Sequence, residues 1–497
     1  MTSTSPPRPG TLPEVVAFAQ RPHGSFVGDG EITSTSAPLA TIDPSTGIEI
    51  TTIDGADQAT VGLAVAAAKA AFDSEWSTML PAQRERLLHR FADLIEEHSA
   101  ELAAYDALEG GKPVSFVEAV DLPLAVEQFR YFAGWPTKLA GQTVPVSTPD
   151  AHVYTRKVPL GVVAAITPWN FPLCQAAIKI APALAAGNTV VIKPSELTSL
   201  STLRLAELAR EAGLPSGTVN VVTGRGDVTG QALITHPDVA KISFTGSERV
   251  GRHLGAEAGR LLKHSSLELG GKNPHIIFAD ADLTKAATAA ATTAFFYSGQ
   301  VCFSGSRLLV EASALDEVLG VIEEYASALV LGHGLDRQTT MGPLVSREHR
   351  EKVEGYVSSV ESTGATVAFG GSRLESEEGF FLQPTAIVNP ADDDLVVSEE
   401  IFGPVLVIQT FDTVDEVVVR ANAGDFGLTA GVWTNDVRKA HRVAQSLRAG
   451  TVWVNTYADY NAAAPFGGFK SSGIGRDCGP EGLEKYLDTQ TVWMSLA

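Results

Sequence analysis

The 497-residue sequence predicts an α/β fold, with parallel sheets covered by helices on both faces. Three observations carry that prediction. From Leu160 onward, short apolar runs alternate with stretches of helical periodicity. A second block of the same alternation starts near Pro274. The chain is also long for a single core, so two or three lobes are expected.

Residues 1–38 are rich in Ser, Thr, Pro and Gly and read as a flexible N-terminal arm without the basic start and apolar core of a signal peptide. Ala82 to Glu97 places Leu87, Leu88, Phe91, Leu94 and Ile95 on one helical face, opposite Arg84, Arg86, Asp93 and Glu96. Thr143–Val146 and His152–Val158 flank the turn Ser147-Thr148-Pro149-Asp150, which predicts a protruding hairpin. Gly161–Ile166, Thr189–Ile192, Val219–Val222 and Val239–Phe244 read as buried strands. Between them, Gln175–Ala186, Ser201–Ala212 and Val228–Thr235 read as helices. In the second block, Pro274–Phe278, Arg307–Val310, Pro384–Val388 and Pro404–Phe411 read as strands. Gln490–Ser495 reads as a terminal strand, and exposed strands of this type suit pairing with another subunit.

A formal charge of −21 argues against nucleic acid or an anionic membrane as partner, because phosphate binding needs a basic face. Val158 to Ile178 is long and apolar, but Pro159, Pro168, Asn170 and Pro172 interrupt it, so it reads as strand, turn and helix start. The three cysteines, Cys174, Cys302 and Cys478, include no CxxC pair. That argues against a zinc site and a disulfide framework, no metal is expected, and a reducing cytoplasm fits best.

Several short motifs carry chemistry. Cys302 lies in the small, Gly-flanked stretch Gly299-Gln300-Val301-Cys302-Phe303-Ser304-Gly305, and Glu268 opens Glu268-Leu269-Gly270-Gly271-Lys272. A thiol on such a turn and a carboxylate base suit covalent catalysis. Singly, Cys302 also reads as a buried small hydrophobe and Glu268 as a solvated strand-end charge. Asn170, in Pro168-Trp169-Asn170-Phe171-Pro172, is held away from helical geometry. Its amide suits an oxyanion, and taken alone it suits a helix cap better. Phe244-Thr245-Gly246-Ser247 follows a strand and opens a helix, where free N–H groups and the Ser247 hydroxyl can meet a pyrophosphate. Gly224-Arg225-Gly226-Asp227-Val228-Thr229-Gly230 misses a dinucleotide fingerprint by one residue and fits a plain strand-to-helix turn equally well. Lys193-Pro194-Ser195-Glu196 ends a buried strand, where Lys193 can donate to ribose hydroxyls and Glu196 can accept from them. A carboxylate there repels a 2′-phosphate and favours NAD over NADP. The other reading is a capping Ser-Glu pair beside a solvated lysine.

Together these stretches, with Glu400-Ile401-Phe402-Gly403-Pro404 and Pro465-Phe466-Gly467-Gly468-Phe469-Lys470-Ser471-Ser472-Gly473, resemble the NAD(P)-dependent aldehyde dehydrogenases. The resemblance runs from about Asp43 to Val492, in family order. It implies a Rossmann-like cofactor domain over 39–140 and 160–271, an α/β catalytic domain over 272–475, and a small β oligomerisation element from 141–159 and 476–497. It implies a cytoplasmic homodimer or homotetramer acting on a small aldehyde.

By the same resemblance, Cys302 attacks the aldehyde, and Asn170 with the Cys302 N–H forms the oxyanion hole. Glu268 activates the water that releases the acid, with Lys179 near it in a proton path. Asp477 stands where many relatives carry a longer Glu, which weighs against a relay role for it. Cofactor contacts are implied for Ile166, Trp169, Lys193, Ser195, Glu196, Gly226 and Gly230. Further contacts are implied for Phe244, Thr245, Gly246, Ser247, Val250, Leu269, Gly270, Glu400 and Phe402. The substrate tunnel is expected from Phe171, Cys174, Gln175, Ile178, Phe296, Tyr297, Val301, Phe303, Tyr460 and Phe466. That set has no Arg or Lys to clamp a carboxylate, so an apolar aliphatic or aromatic aldehyde is expected. Ile178 stands where some relatives carry Trp, which widens the tunnel. A CoA-acylating enzyme is the first alternative, although that type generally lacks a base at the position of Glu268. A non-catalytic protein on this fold is the second.

Overall fold

The computed structural model describes residues 13–360, 363–374 and 378–497. Two large sheets organise it. In the first, five strands run parallel in the order His264–Glu268, Val239–Thr245, Val162–Ile166, Thr189–Lys193, Val219–Val221. Val162–Ile166 and Thr189–Lys193 are buried throughout, as their unbroken β-branched and small apolar sequences require of strands covered on both faces. The chain leaves Val162–Ile166 toward Val219–Val221 on one side, then returns to build Val239–Thr245 and His264–Glu268 on the other. That reversal opens a crevice at the carboxyl ends of Val162–Ile166 and Val239–Thr245, where open α/β sheets bind ligands.

The helix Pro172–Ala186 follows the crevice. Proline fixes its first turn, and it stops at Gly187, whose φ of +95° suits a residue without Cβ. The second sheet has seven strands, parallel except at the Thr366–Phe369 edge, ordered Thr366–Phe369, Thr385–Val388, Val405–Phe411, Arg307–Glu311, Pro274–Ile277, Thr429–Trp433, Thr451–Val454. A third, two-stranded ribbon pairs Ala151–Pro159 antiparallel with Leu487–Ser495, and Trp493 stays 59% exposed on it. No helix among the described residues is long and apolar enough to cross a membrane.

Two expectations need correction. The arm expected over 1–38 is folded from Pro13 on: the helix Pro13–Gln20 buries Val15 and Ala19, and Ser25–Val27 with Gly30–Ile32 extend the first sheet. Residues 1–12 lie outside the described residues. The expected hairpin is reduced to a single bridge, Thr143 to Tyr154, because Ala151–Pro159 gives its ladder to the C-terminal strand instead. Sequence reading also passed over the hairpin Pro38–Asp43/Ile48–Asp54, although Asp43 signals its turn by accepting from the Ser45 N–H at 2.8 Å and the Thr46 hydroxyl at 2.9 Å.

Asn188 ties this architecture together in the turn after Gly187. Its Oδ1 accepts from the Leu160 and Gly161 N–H groups at 2.7 and 2.9 Å. Its Nδ2 donates to the Ala183 and Tyr486 carbonyls at 3.2 and 2.9 Å. Replacing it by Leu leaves buried N–H groups without partners, at roughly 1–3 kcal/mol each. Asn188→Leu is therefore expected to lower the urea midpoint by the equivalent of about 3 kcal/mol at unchanged slope. An unchanged midpoint would sink this account of the turn.

Candidate active site

Leu269 to Asn273 carry the chain from the strand ending at Glu268 to the strand starting at Pro274, and so from one sheet to the other. Only glycine fits at the crossing. A Cβ on Gly270 would run into Glu400 Oε2, and one on Gly271 would lie 2.8 Å from the Cys302 carbonyl oxygen. Glu400 Oε1 accepts from the Gly271 N–H at 2.8 Å. Asn273 Nδ2 donates to the carbonyls of Cys302 and Ser304 at 2.8 and 2.9 Å, while its Oδ1 accepts from the Thr429 N–H at 3.0 Å. The crossing thus fixes the Cys302 loop through the Cys302 and Ser304 carbonyls.

That loop is strained. Tyr297 and Ser298 hold φ of +48° and +54°, a conformation costly to residues with a Cβ. Ser298 Oγ donates to the Gly342 carbonyl at 2.6 Å, and Gln300 Oε1 accepts from the Val345 N–H at 2.9 Å. Beyond Cys302, the Tyr457 hydroxyl donates to the Phe303 carbonyl at 3.0 Å, and its ring stacks on His275 at 4.5 Å. Asn170 Nδ2 donates to the Gln300 carbonyl at 2.9 Å, and Asn170 does not cap the following helix. One amide proton therefore anchors Asn170 to the nucleophile loop; an amide carries a second.

Burial sets the charge states here. It pushes the Cys302 thiol up to about 12, with Glu400 and Glu268 adding to the rise and the N–H groups of Phe303 and Cys302 opposing it. Glu268 is raised well above the ordinary carboxylate range, first by burial and then by Asp477, against Lys485, Lys179 and Arg476. Neither Glu268 oxygen has a hydrogen-bond partner among the described residues. Burial likewise raises Glu400 to about 7 and lowers Lys179, which stands 3.7 Å from Asp477.

Two cavities meet at Cys302. One, of about 240 Å³, is lined by nine of the ten expected tunnel residues: Phe171, Cys174, Gln175, Ile178, Phe296, Val301, Phe303, Tyr460 and Phe466. The tenth, Tyr297, is turned away by its positive φ; it lies 5.8 Å behind the Phe171 ring and donates to the Gly110 carbonyl. The other cavity, of about 210 Å³, is lined by Trp169, Asn170, Thr245, Gly246, Ser247, Leu269, Gly270, Glu400 and Phe402. Gln175, Thr245, Leu269 and Cys302 belong to both walls.

The other expected contacts lie along the crevice rather than in this cavity. Lys193, ending its strand, is buried and donates to the Pro194 and Gly224 carbonyls at 2.7 and 2.8 Å, with Glu196 at 3.6 Å. Gly230 lies against the Lys193 stem, and Gly226 opens the same turn. Lys193 is thus not solvated, and Ser195 and Glu196 do not cap the next helix, whose first N–H groups bond Glu109. Ser247 caps the helix Glu248–Leu261 by accepting from Val250 N–H at 3.5 Å. Ile166 and Phe244 pack with Leu269 in the core beneath. Sequence reading missed His349 and Lys352 in the second cavity and Val120, Leu124 and Leu428 in the first. His349 Nε2 donates to the Phe402 carbonyl at 2.7 Å, but its sequence reads only as a helix start.

The chain matches the model of the aldehyde dehydrogenase family over residues 32–492. It is 46% identical over 479 residues to phenylacetaldehyde dehydrogenase of Pseudomonas fluorescens, covering 95% of each chain. It is likewise 46% identical to human retinal dehydrogenase 2, over 91% of this chain and 88% of that one. Among solved structures, an NAD+ complex of an aldehyde dehydrogenase from Bacillus cereus superposes with a TM-score of 0.96 at 42% identity, over 98% of this chain and 99% of that one. A betaine aldehyde dehydrogenase of Staphylococcus aureus bound to NAD+ gives 0.94 at 39% identity, over 97% and 96%. With matches of this extent on both sequence and fold, the chain belongs to the aldehyde dehydrogenase family and is an oxidoreductase.

Proposed function

We propose that the chain oxidises apolar aliphatic or aromatic aldehydes to carboxylic acids with NAD, through a thioester on Cys302 hydrolysed with Glu268 as base. One observation carries this reading: Cys302 stands in the wall shared by an apolar tunnel and a polar crevice cavity. Among the described residues no Arg or Lys lines the tunnel, so nothing there recognises a substrate carboxylate. Relatives named for phenylacetaldehyde and retinal agree with an apolar substrate.

The residues of the second cavity fit the nicotinamide half of NAD. Glu400 spends one oxygen on Gly271 N–H and keeps the other for ribose hydroxyls, while the Trp169 and Phe402 rings meet edge-on at 5.4 Å beside it. Lys193 and Glu196 fit the adenosine ribose. Bound NAD supplies the hydride acceptor. Cys302 Sγ attacks the aldehyde carbon, and its proton leaves toward Glu268. The second Asn170 amide proton and the Cys302 N–H stabilise the oxygen anion. Once the thiol proton has passed inward toward Lys179, Glu268 is again ionised and deprotonates water. The water oxygen adds to the thioester carbon and displaces the thiolate. In this reading the cofactor domain comprises 39–140 and 160–271, the catalytic domain 272–475 and the bridging element 141–159 and 476–497. The two large sheets and the ribbon support that division, although Ser25–Val27, Gly30–Ile32 and Gly473–Ile474 also join the first sheet and Pro38–Asp43 with Ile48–Asp54 stand apart. The exposed ribbon supports a homodimer or homotetramer.

Initial-rate NADH formation is expected with hexanal or benzaldehyde and NAD alone, yielding free acid. Better turnover of succinic semialdehyde would overturn the tunnel reading, and turnover only with added CoA would overturn hydrolysis. Glu268→Gln is expected to keep a first-turnover burst of NADH at high pH and to lose about 10²–10⁴-fold in steady state. Protonated Glu268 accepts no proton, so steady-state rate should climb with pH through a limb above the ordinary carboxylate range. A limb near pH 4.5, or one that persists in Glu268→Gln, would remove Glu268 from that role.

A further inference from the structure

We propose that Lys485 is a positioning residue for the hydrolytic half-reaction: it holds the Asp477 carboxylate in place beside Lys179 and so sets the charge environment of Glu268. The inference rests on the hydrolytic reading above. Asp477 divides its oxygens between two lysines. Lys485 Nζ hydrogen-bonds Oδ1, and Lys179 Nζ stands 3.7 Å from Oδ2. Side-chain exposures of 11% for Lys485, 5% for Asp477 and 1% for Lys179 leave little water to screen these charges.

The geometry ties this cluster to the base. Asp477 pairs its backbone with Phe466, in both directions, at 2.7 and 2.8 Å. The next residue, Gly467, lies against Glu268, since a Cβ there would meet Oε1 at 2.5 Å. Asp477 and Glu268 line the same cavity. Lys485 cannot drift, because its ammonium also sits 5.3 Å from the Tyr486 ring centre, and the Tyr486 hydroxyl is bonded to Ser243 Oγ at 3.0 Å.

Charge accounting then assigns the roles. The titratable and charged groups facing Glu268 are Cys302 from the nucleophile loop, Lys179 from the helix Pro172–Ala186, Arg476 and Asp477 from the strand-like segment, and Lys485 beyond it. Alone, Asp477 opposes ionisation of Glu268, and Lys485 offsets it ahead of Lys179. Lys179 is lowered by burial and by Lys485, whereas Lys485 is held above its ordinary value despite burial, chiefly by Asp477. Lys485, hydrogen-bonded to Asp477, is the fixed cation of the cluster, while the buried Lys179 and Lys241, both within reach of its charge and that of Asp477, are lowered.

The test is the pH profile of steady-state turnover and of the NADH burst, for Lys485→Met and Lys485→Arg, alongside urea midpoints. Loss of the cation removes a charge that favours ionised Glu268, so Lys485→Met should move the acid limb upward by about one pH unit while the burst at high pH persists. Lys485→Arg should restore the limb. An unmoved limb in a folded Lys485→Met enzyme overturns the proposal, as does an Arg variant that behaves like Met. If Lys485→Met fails to fold, the Arg variant decides by its limb, which must match the parent. Failure of the hydrolytic reading would show separately, as a parent enzyme without turnover in the absence of CoA.

Discussion

The active site depends on one constraint: two sheets must meet within the five residues from Leu269 to Asn273. Glycines at 270 and 271 let Glu400 and the Cys302 carbonyl come closer than any side chain allows. Asn273 then converts that proximity into a fixed geometry, bonding the loop at Cys302 and Ser304 and the strand Thr429–Trp433 with one amide. An amide satisfied at both ends in a buried site is expensive to disturb, which suits it to hold a strained loop. The left-handed Tyr297 and Ser298 store cost that this network, with Ser298 to Gly342 and Tyr457 to Phe303, must offset.

Such a frame exposes the chemistry groups to an environment that opposes charge. Glu268 is buried and Cys302 half-buried, and desolvation pushes both toward their neutral forms. A neutral resting thiol protects against oxidation, because reactivity follows the thiolate. Ionisation has to be induced by a ligand or a nearby cation. The cations that favour charged Glu268 are Lys485, Lys179 and Arg476, and none of them lines the largely apolar tunnel. The carboxylate therefore stands at a boundary between a wall that disfavours charge and a cluster that favours it.

Legibility in the sequence followed locality. Cys302, Glu268 and Asn170 announce themselves because each sits in a short motif whose glycines or prolines fix the backbone. Four of the first sheet's five parallel strands are legible from their continuous apolar runs, to within one residue at each end, whereas His264–Glu268, with three polar residues at its start, is not. Residues 13–38 do not follow the flexible reading because the Ser-, Thr- and Pro-rich stretch before them sets the composition of 1–38 as a whole, while the burial of Val15 and Ala19 comes from tertiary packing. Ala151–Pro159 shows both signals: turn chemistry points to the neighbouring Thr143–Val146, which supplies one bridge, while the long ladder to Leu487–Ser495 follows the element that the family resemblance implies from 141–159 and 476–497. Tyr297 is expected in the tunnel by its position in the family pattern, whereas its ring packs against Phe171 and its hydroxyl bonds the Gly110 carbonyl. Lys485 carries no signal at all, since its pairing with Asp477 has no motif.

The same distinction explains why Asp477 looked unpromising. Measured by side-chain length alone, an Asp in place of a Glu loses reach. Reach is not the governing quantity when a second lysine approaches from the opposite side. Lys485 draws the carboxylate's Oδ1 while Oδ2 stays within 3.7 Å of Lys179, so the shorter side chain still bridges two cations. A carboxylate with only one of those lysines would carry its burial cost with half the compensation. Asp477 and Lys485 are therefore best understood as one unit, whose charge pattern, rather than whose length, meets the base.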